Sequence, residues 1–172
     1  MADQTLPSKF DEVILEAMIE LLEAYGLNAK ATTLDPALTN QPMLTAAIPF
    51  VGSGLKGCLT VMAERKVFTS MQDWEWDEPG LRDWIGEIGN QALGSIRRKL
   101  VARGLNADMG LPVVQGAVRL ALEGMDERFT RAHAFETPIG TILVCIDVAA
   151  LKESSIDWNS DTPPIDFDLG LF

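Results

Sequence analysis

Glu87 and Asn90 are the two residues of this chain whose types and spacing are best suited to joint chemistry. They lie three positions apart in a segment of helical periodicity, and residues at that spacing project side by side from a helix. The amide is neither an acid nor a base at neutral pH, but it can orient a water molecule. Hydrolysis of a phosphoryl group needs an aligned water and neutralised charge more than a strong base, because its transition state is loose. An asparagine is therefore sufficient for that alignment.

The segment that carries this pair is predicted to be the longest helix of the chain. Pro79 begins it, Asp77 or Glu78 is placed to cap it, and Gly104 ends it after several basic residues. At 100° per residue, its apolar side chains form one stripe that we expect to pack on a sheet: Leu81, Trp84, Ile85, Ile88, Ala92 and Ile96. The opposite face, which points to water or to a partner, carries Asp83, Glu87, Asn90 and Gly94.

Residues of low helix propensity make this helix unusual. Three glycines and one asparagine together cost on the order of 3 kcal/mol relative to Ala: Gly86, Gly89, Gly94 and Asn90. Close packing of the helix on the sheet accounts for Gly89, and an ordinary solvated face accounts for Asp83 and Glu87 taken alone. Gly94 faces outward, where a missing side chain lets another surface approach. We therefore interpret Glu87, Asn90 and Gly94 as a docking surface.

The remaining elements are predicted to be two further helices and five strands. Apolar residues recur at three and four positions in the first helix, and Gly26 can end it. Gly52-Ser53-Gly54 joins the first two strands into a hairpin. The predicted ranges are 8–26 and 64–72 for the helices, and 43–51, 55–63, 112–122, 128–136 and 139–149 for the strands. The order helix, hairpin, helix, strands predicts an α+β fold with long helices packed on an antiparallel β-sheet.

The sequence resembles the CheC and CheX family of chemotaxis phosphatases. Asp83, Glu87 and Asn90 match the family pattern of Asp or Ser, three residues, Glu, two residues and Asn. A proline follows at a set distance in the family, and Pro112 lies near that place, one position early. The order of elements agrees over most of residues 8–150. CheC-like members repeat the motif on the first helix, which here lacks it, so the chain is more similar to CheX.

The resemblance implies an enzyme that hydrolyses the aspartyl phosphate of a CheY-like response regulator. Asn90 would insert its amide beside the phosphoryl group and hold the attacking water in line, while Glu87 would pair with the regulator's active-site lysine. Asp83 would orient this pair or extend the acidic contact. The other implied binding residues are Gly86, Gly94 and Pro112. The Mg²⁺ belongs to the regulator, so no cofactor of the chain's own is expected, and CheX-like members imply a homodimer.

Composition limits the other classes of partner. The 172 residues include 25 acidic and 14 basic side chains, for a formal net charge of -11. Such a chain repels phosphate backbones and anionic lipid heads, so neither nucleic acid nor a membrane is an expected partner. Residues 1–10 show no secretory signal, and polar residues interrupt every apolar run before it could span a bilayer. We therefore expect a cytoplasmic protein.

The resemblance implies a CheX-like phosphatase domain over residues 1–151, and the charge distribution predicts an acidic C-terminal tail over residues 152–172. No basic residue follows Lys152, whereas five acidic ones do. The tail is predicted to be partly disordered. Apolar residues alternate with other residues between positions 165 and 171, however, and this period is equally consistent with a strand that docks on a sheet edge or a partner.

Other functions stay open from the sequence. The same helix face could grip a receiver domain or a switch component as a non-catalytic adaptor. A small-molecule hydrolase would need a pocket with a perturbed acid or nucleophile, and the chain offers no marker for one. Cys58 and Cys145 lie in apolar runs typical of core side chains, and His133 is the single histidine. The acidic patch Asp73–Glu78 either steers a basic partner rim or is a solvated turn.

Overall fold

Two long helices lie on one face of an antiparallel sheet in the computed structural model of this chain. The structure describes residues 6–35, 37–38, 41–52, 55–73, 75–117 and 130–151. The helices are α1 (Leu6–Ala24), the short α2 (Arg65–Ser70) and α3 (Glu78–Val101). The strands are β1 (Lys30–Thr32), β2 (Met43–Val51), β3 (Leu55–Ala63), β4 (Asp108–Met109), β5 (Val113–Ala117), β6 (Thr130–Glu136) and β7 (Thr141–Leu151). The predicted α+β class is confirmed.

Within the described residues the sheet contains seven strands, and their order explains how the segment after α3 returns to the helix. The order is β1-β6-β7-β3-β2-β4, and β5 pairs with the same edge of β2 that β4 uses. Every pairing is antiparallel. β4 pairs with Phe50–Val51, and β5 pairs with Met43–Ala47. Pro112, between β4 and β5, therefore lies at this edge of the sheet.

The core has two parts, because side chains of successive strand residues point to opposite faces of the sheet. The main cluster lies under the helices, where alternate residues of β2 and β7, such as Ile48 and Val144, meet α1 and α3. A smaller cluster lies on the other face of the sheet, with Leu34 and Leu38 packed against it: Met43, Met62, Ala134, Leu143 and Cys145. Both faces of the central strands are therefore covered.

The predicted boundaries of α3 are confirmed. Asp77 caps the helix, its Oδ1 accepting a hydrogen bond of 2.7 Å from the Gly80 amide. Gly104 ends the helical region with a φ of 83°, a left-handed conformation that favours glycine. The apolar stripe is buried as predicted, apart from Trp84, which is half-buried. The inner and outer faces of this helix are therefore well defined.

Two short strands are absent from the sequence prediction. β1 contains three residues, all exposed, and β4 contains two. Neither is long enough to show the alternation that identifies a strand, so local pattern did not predict them. The β2–β3 hairpin, α2 and the described parts of the last three predicted strands are confirmed. Residues 53–54, 118–122 and 128–129 of these predicted elements lie outside the described residues.

Parts of the prediction fall outside the described residues. The acidic tail, residues 152–172, is one of them, so the division of the chain at residue 151 stays a prediction. None of the helices in the described residues is long and apolar enough to cross a lipid bilayer.

Candidate functional site

Four of the six predicted site residues share the outward face of α3: Asp83, Glu87, Asn90 and Gly94. Asp83 and Glu87 are exposed and Asn90 is half-buried. Gly94 lies one turn beyond Asn90, and a Cβ built on it would meet no atom within 4 Å. Glu87 and Asn90 are thus not enclosed by the rest of the described chain. The surface of α3 from Glu87 to Gly94 is therefore accessible to another molecule.

Pro112 borders this face from the side of the sheet edge. A Cβ on Gly86 would lie 3.3 Å from Pro112 Cγ and 3.5 Å from Val114 Cγ2. Gly86 is buried, so it serves the site by letting the Pro112 loop lie against the helix next to Glu87. Arg82 Nη1 donates a hydrogen bond of 3.4 Å to the carbonyl oxygen of Val114, which fastens the loop to the same helix.

Two exposed apolar side chains flank Pro112 and were not identified from the sequence. Leu111 is 85% exposed and Val113 is 58% exposed. The Val114 side chain lies against Gly86 of α3, so that of Val113 points to the opposite face of the sheet. Local pattern contains no signal for this exposure, because an apolar residue in a predicted strand is ordinarily expected in the core.

A hydrogen-bonded chain supports Glu87 from within the molecule. Gln91 Nε2 donates to Glu87 Oε1 at 2.8 Å, and the Tyr25 hydroxyl donates to Gln91 Oε1. Sequence reasoning did not identify Gln91 or Tyr25. The spacing of four residues between Glu87 and Gln91 was a readable signal for the first bond. Tyr25 is distant in sequence, so the fold alone brings it to the site.

Aromatic side chains hold Tyr25 in place. Its ring packs edge-to-face on Trp84, with centroids 5.6 Å apart and planes at 90°. Trp84 stacks on Trp76, also at 5.6 Å, and its Nε1 donates a hydrogen bond of 3.1 Å to the Phe68 carbonyl oxygen. Burial raises the pKa of the Tyr25 hydroxyl above its ordinary value of 10.0, the bond to Gln91 opposes this, and the Glu87 carboxylate adds to it. The hydroxyl is therefore a donor at neutral pH.

Some residues of the acidic patch Asp73–Glu78 make contacts within the fold. Asp77 caps α3, and Glu78 Oε1 lies 2.6 Å from Arg65 Nη1. Trp76 packs on Trp84 and is half-buried. Asp77 and Trp76 therefore have structural roles, whereas Asp73, Glu75 and Glu78 are exposed carboxylates that could steer a partner. Trp74 lies outside the described residues.

The cysteines and the histidine lie apart from this face. Burial raises the pKa of the Cys145 thiol to about 11, and it also raises that of Cys58. Both thiols are thus protonated at neutral pH and are poor nucleophiles. His133 Nε2 lies 3.1 Å from Asp11 Oδ1 and links β6 to α1. Within the described residues, no group of three or more His, Cys, Asp or Glu side chains is arranged to hold a metal ion.

Comparison with known proteins gives a consistent result for the fold. No protein-family model and no curated protein matches the chain. CheX from Vibrio vulnificus is 17% identical and superposes with a TM-score of 0.67, covering 84% of this chain and 99% of its own. A CheC-like superfamily protein from Shewanella sp. PV-4 is 20% identical, with a TM-score of 0.65 over 81% of this chain and 97% of its own.

A third solved structure contains a partner. It is the CheX-CheY complex with BeF₃ and Mg²⁺ from Borrelia burgdorferi, matched at 14% identity with a TM-score of 0.57 over 81% of this chain and 96% of the other. Identities of this size show likeness of fold. The chain thus has the fold of the CheX and CheC-like chemotaxis proteins, which is the fold that the resemblance in its sequence predicted.

Proposed function

We propose that this chain hydrolyses the aspartyl phosphate of a CheY-like response regulator, with the outer face of α3 entering the regulator's active site. The observation that carries the proposal is the placement of Glu87 and Asn90 side by side on an open helix face, with free space at Gly94. The shared fold supports it, because a protein of this fold was solved in complex with CheY. A response-regulator substrate places the activity in the cytoplasm.

In this mechanism Asn90 positions the attacking water. The water oxygen attacks phosphorus in line with the bond to the aspartyl oxygen, and that bond breaks as the carboxylate leaves with its electron pair. The proton of the water passes to the released phosphate or to solvent. Mg²⁺ bound to the regulator would neutralise charge on the phosphoryl oxygens. This chain therefore contributes alignment and no metal ligand.

Glu87 contributes binding in the same mechanism. Its exposed carboxylate pairs with the ammonium group of the regulator's active-site lysine, and Asp83, exposed one turn earlier, extends the acidic contact. The Pro112 loop and the exposed Leu111 next to Pro112 would contact the regulator beside this ion pair. Charge attraction would thus orient the complex, and apolar contact would add affinity.

A binding-only adaptor is the second candidate function. The exposed Leu111 beside Pro112 favours it, since an exposed apolar side chain provides a contact surface that requires no chemistry. The two candidates share a partner and a binding face. They differ in whether phosphate release accelerates when the complex forms.

Asn90→Ala separates these candidates. We expect phosphate release from the phosphorylated regulator to fall at least about tenfold, while affinity for the beryllofluoride-loaded regulator stays near that of the wild type, because the amide acts on the water. Asn28→Ala, at an exposed asparagine after α1, is the matched control and should keep full activity. Full activity of Asn90→Ala would exclude the catalytic assignment. Tight binding by the wild type without faster phosphate release would establish the adaptor.

Glu87→Ala tests the binding role. The affinity for the regulator should fall by about 1 to 3 kcal/mol, as measured by calorimetry, because a desolvated lysine would lose its partner. Glu12→Ala removes an exposed glutamate of α1 and should bind as the wild type does. Equal losses in the two variants would indicate a general charge effect and contradict a specific ion pair.

We also propose that the chain forms a homodimer, and the proposed binding face limits where the dimer interface can lie. Any dimer interface must leave the outer face of α3 open, because the same face is proposed to enter the regulator. Sedimentation with and without regulator tests this. A dimer that dissociates whenever regulator binds would contradict a dimeric enzyme.

A further inference from the structure

Gln91 contacts the proposed binding carboxylate, and Tyr25 in turn contacts Gln91. Gln91 lies one turn after Glu87 on α3, and its amide nitrogen reaches Glu87 Oε1 at 2.8 Å. Tyr25 follows α1 and reaches across to the carbonyl oxygen of the same amide. Both side chains are half-buried, whereas Glu87 is exposed.

The Glu87 carboxylate, which only accepts hydrogen bonds, sets which way the Gln91 amide faces, and the Tyr25 bond holds the amide in that orientation. A hydroxyl that donates to Oε1 occupies the acceptor end of the amide, so the amino end is turned toward Glu87. If the amide turned over, its oxygen would face a carboxylate oxygen, and two acceptors would repel each other. Tyr25 therefore acts on Glu87 through Gln91.

Tyr25 is itself firmly placed. It precedes Gly26, whose φ of 73° ends α1, and the Leu27 amide donates to the Leu22 carbonyl oxygen at 3.0 Å in the closing turn. Trp84, packed against the Tyr25 ring, is anchored to Phe68 through its indole N–H. The support of Glu87 thus extends from α2 through α3 to the end of α1.

We propose that Gln91 and Tyr25 are positioning residues that hold the Glu87 carboxylate in its binding orientation before the regulator arrives. The inference rests on the proposed function, in which Glu87 pairs with the regulator's lysine. An exposed glutamate loses side-chain conformational entropy when it is fixed in an ion pair. A carboxylate already held by Gln91 loses less, and this raises the affinity for the regulator. Ordering of this kind acts on binding more than on the chemical step.

Tyr25→Phe is the sharpest test, since it removes the hydroxyl and keeps the ring on Trp84. The dissociation constant for the beryllofluoride-loaded regulator and the KM for the phosphorylated one should both rise about three- to tenfold. The kcat should stay within about twofold and the melting temperature should not change. Gln91→Met should have the same effect, whereas Gln41→Met, at an exposed glutamine before β2, should have none.

A double-mutant cycle distinguishes positioning from a general structural effect. In the Glu87→Ala background, Tyr25→Phe should cause no further loss of affinity, because the group it positions is absent. An undiminished further loss, or wild-type binding by Tyr25→Phe alone, would overturn the inference. In either case, weak binding by Glu87→Ala would leave the proposed function standing. Wild-type binding by Glu87→Ala would remove the role of Glu87 and this inference together.

Discussion

Each face of α3 contains a glycine, one in close packing against the sheet and the other in open space. On the inner face, a Cβ at Gly89 would lie 2.4 Å from Ile48 Cδ1 and 3.0 Å from the Cβ of Ala46. On the outer face, a Cβ at Gly94 would meet nothing within 4 Å. A glycine inside a helix costs about 1 kcal/mol relative to Ala at either position. Close packing on the sheet offsets that cost at Gly89, and no contact within the described chain offsets it at Gly94.

This difference shows how a glycine should be interpreted in a helix. Propensity treats Gly89 and Gly94 alike, and only the space around each position separates a packing requirement from an open approach. The space around Gly86 is intermediate, since a Cβ added there would press on the Pro112 loop. The inner face is thus explained by stability, whereas no packing contact within the described residues explains Gly94 on the outer face, which agrees with the proposed docking surface. Substituting one residue at both positions tests the distinction.

Gly89→Leu should have the largest effect. A leucine side chain cannot fit between α3 and β2, so overpacking should lower the free energy of unfolding by about 3 kcal/mol. Urea unfolding measures this directly. Stability equal to that of the wild type would show that the helix lies farther from the sheet than the structure indicates.

Cys145 belongs to the small cluster on the other face of the sheet, and the pH dependence of stability tests how deeply its thiol is buried. Burial raises the pKa of the Cys145 thiol from 9.0 to about 11, so the unfolded chain releases this proton at lower pH than the folded chain does. The protonated Cys145 thiol therefore contributes about 2 to 3 kcal/mol to the free energy of unfolding. This contribution is fully present below pH 9 and is lost as the pH rises through 11. Cys145→Ala should flatten that part of the stability profile.

The control for this pH experiment is the other thiol. Cys58 is half-buried, and Cys58→Ala should retain the decline that Cys145 causes. An unchanged profile in Cys145→Ala would contradict the deep burial of this residue.

Gly94→Leu should have the smallest effect on stability and a clear effect on binding. The free energy of unfolding should rise by up to about 1 kcal/mol, because leucine favours the helix and the space is open. The affinity for the regulator should nevertheless fall by at least about tenfold, equivalent to 1.4 kcal/mol, since the new side chain blocks the approach. Wild-type affinity in this variant would exclude Gly94 from the docking surface.

Much of the scaffold was predictable from local pattern. The stripe of α3 from Leu81 to Ile96, its cap at Asp77 and its end at Gly104 follow from residue types over a few turns. β1 and β4 were not predictable, because strands of three and two residues exist only through pairing with β6 and β2. The pairing partners lie far away in sequence, and their contribution is invisible in a local window.

The sequence by itself determined which side chains α3 turns outward, because helical periodicity fixes the relative direction of Glu87, Asn90 and Gly94. Only the tertiary structure decided what surrounds them. It brought Tyr25 to Gln91 across the two helices, and it laid Pro112 against Gly86 through the pairing of β5 with β2. These contacts depend on how separate elements pack, and packing is set by the complementarity of whole surfaces, which no single segment contains.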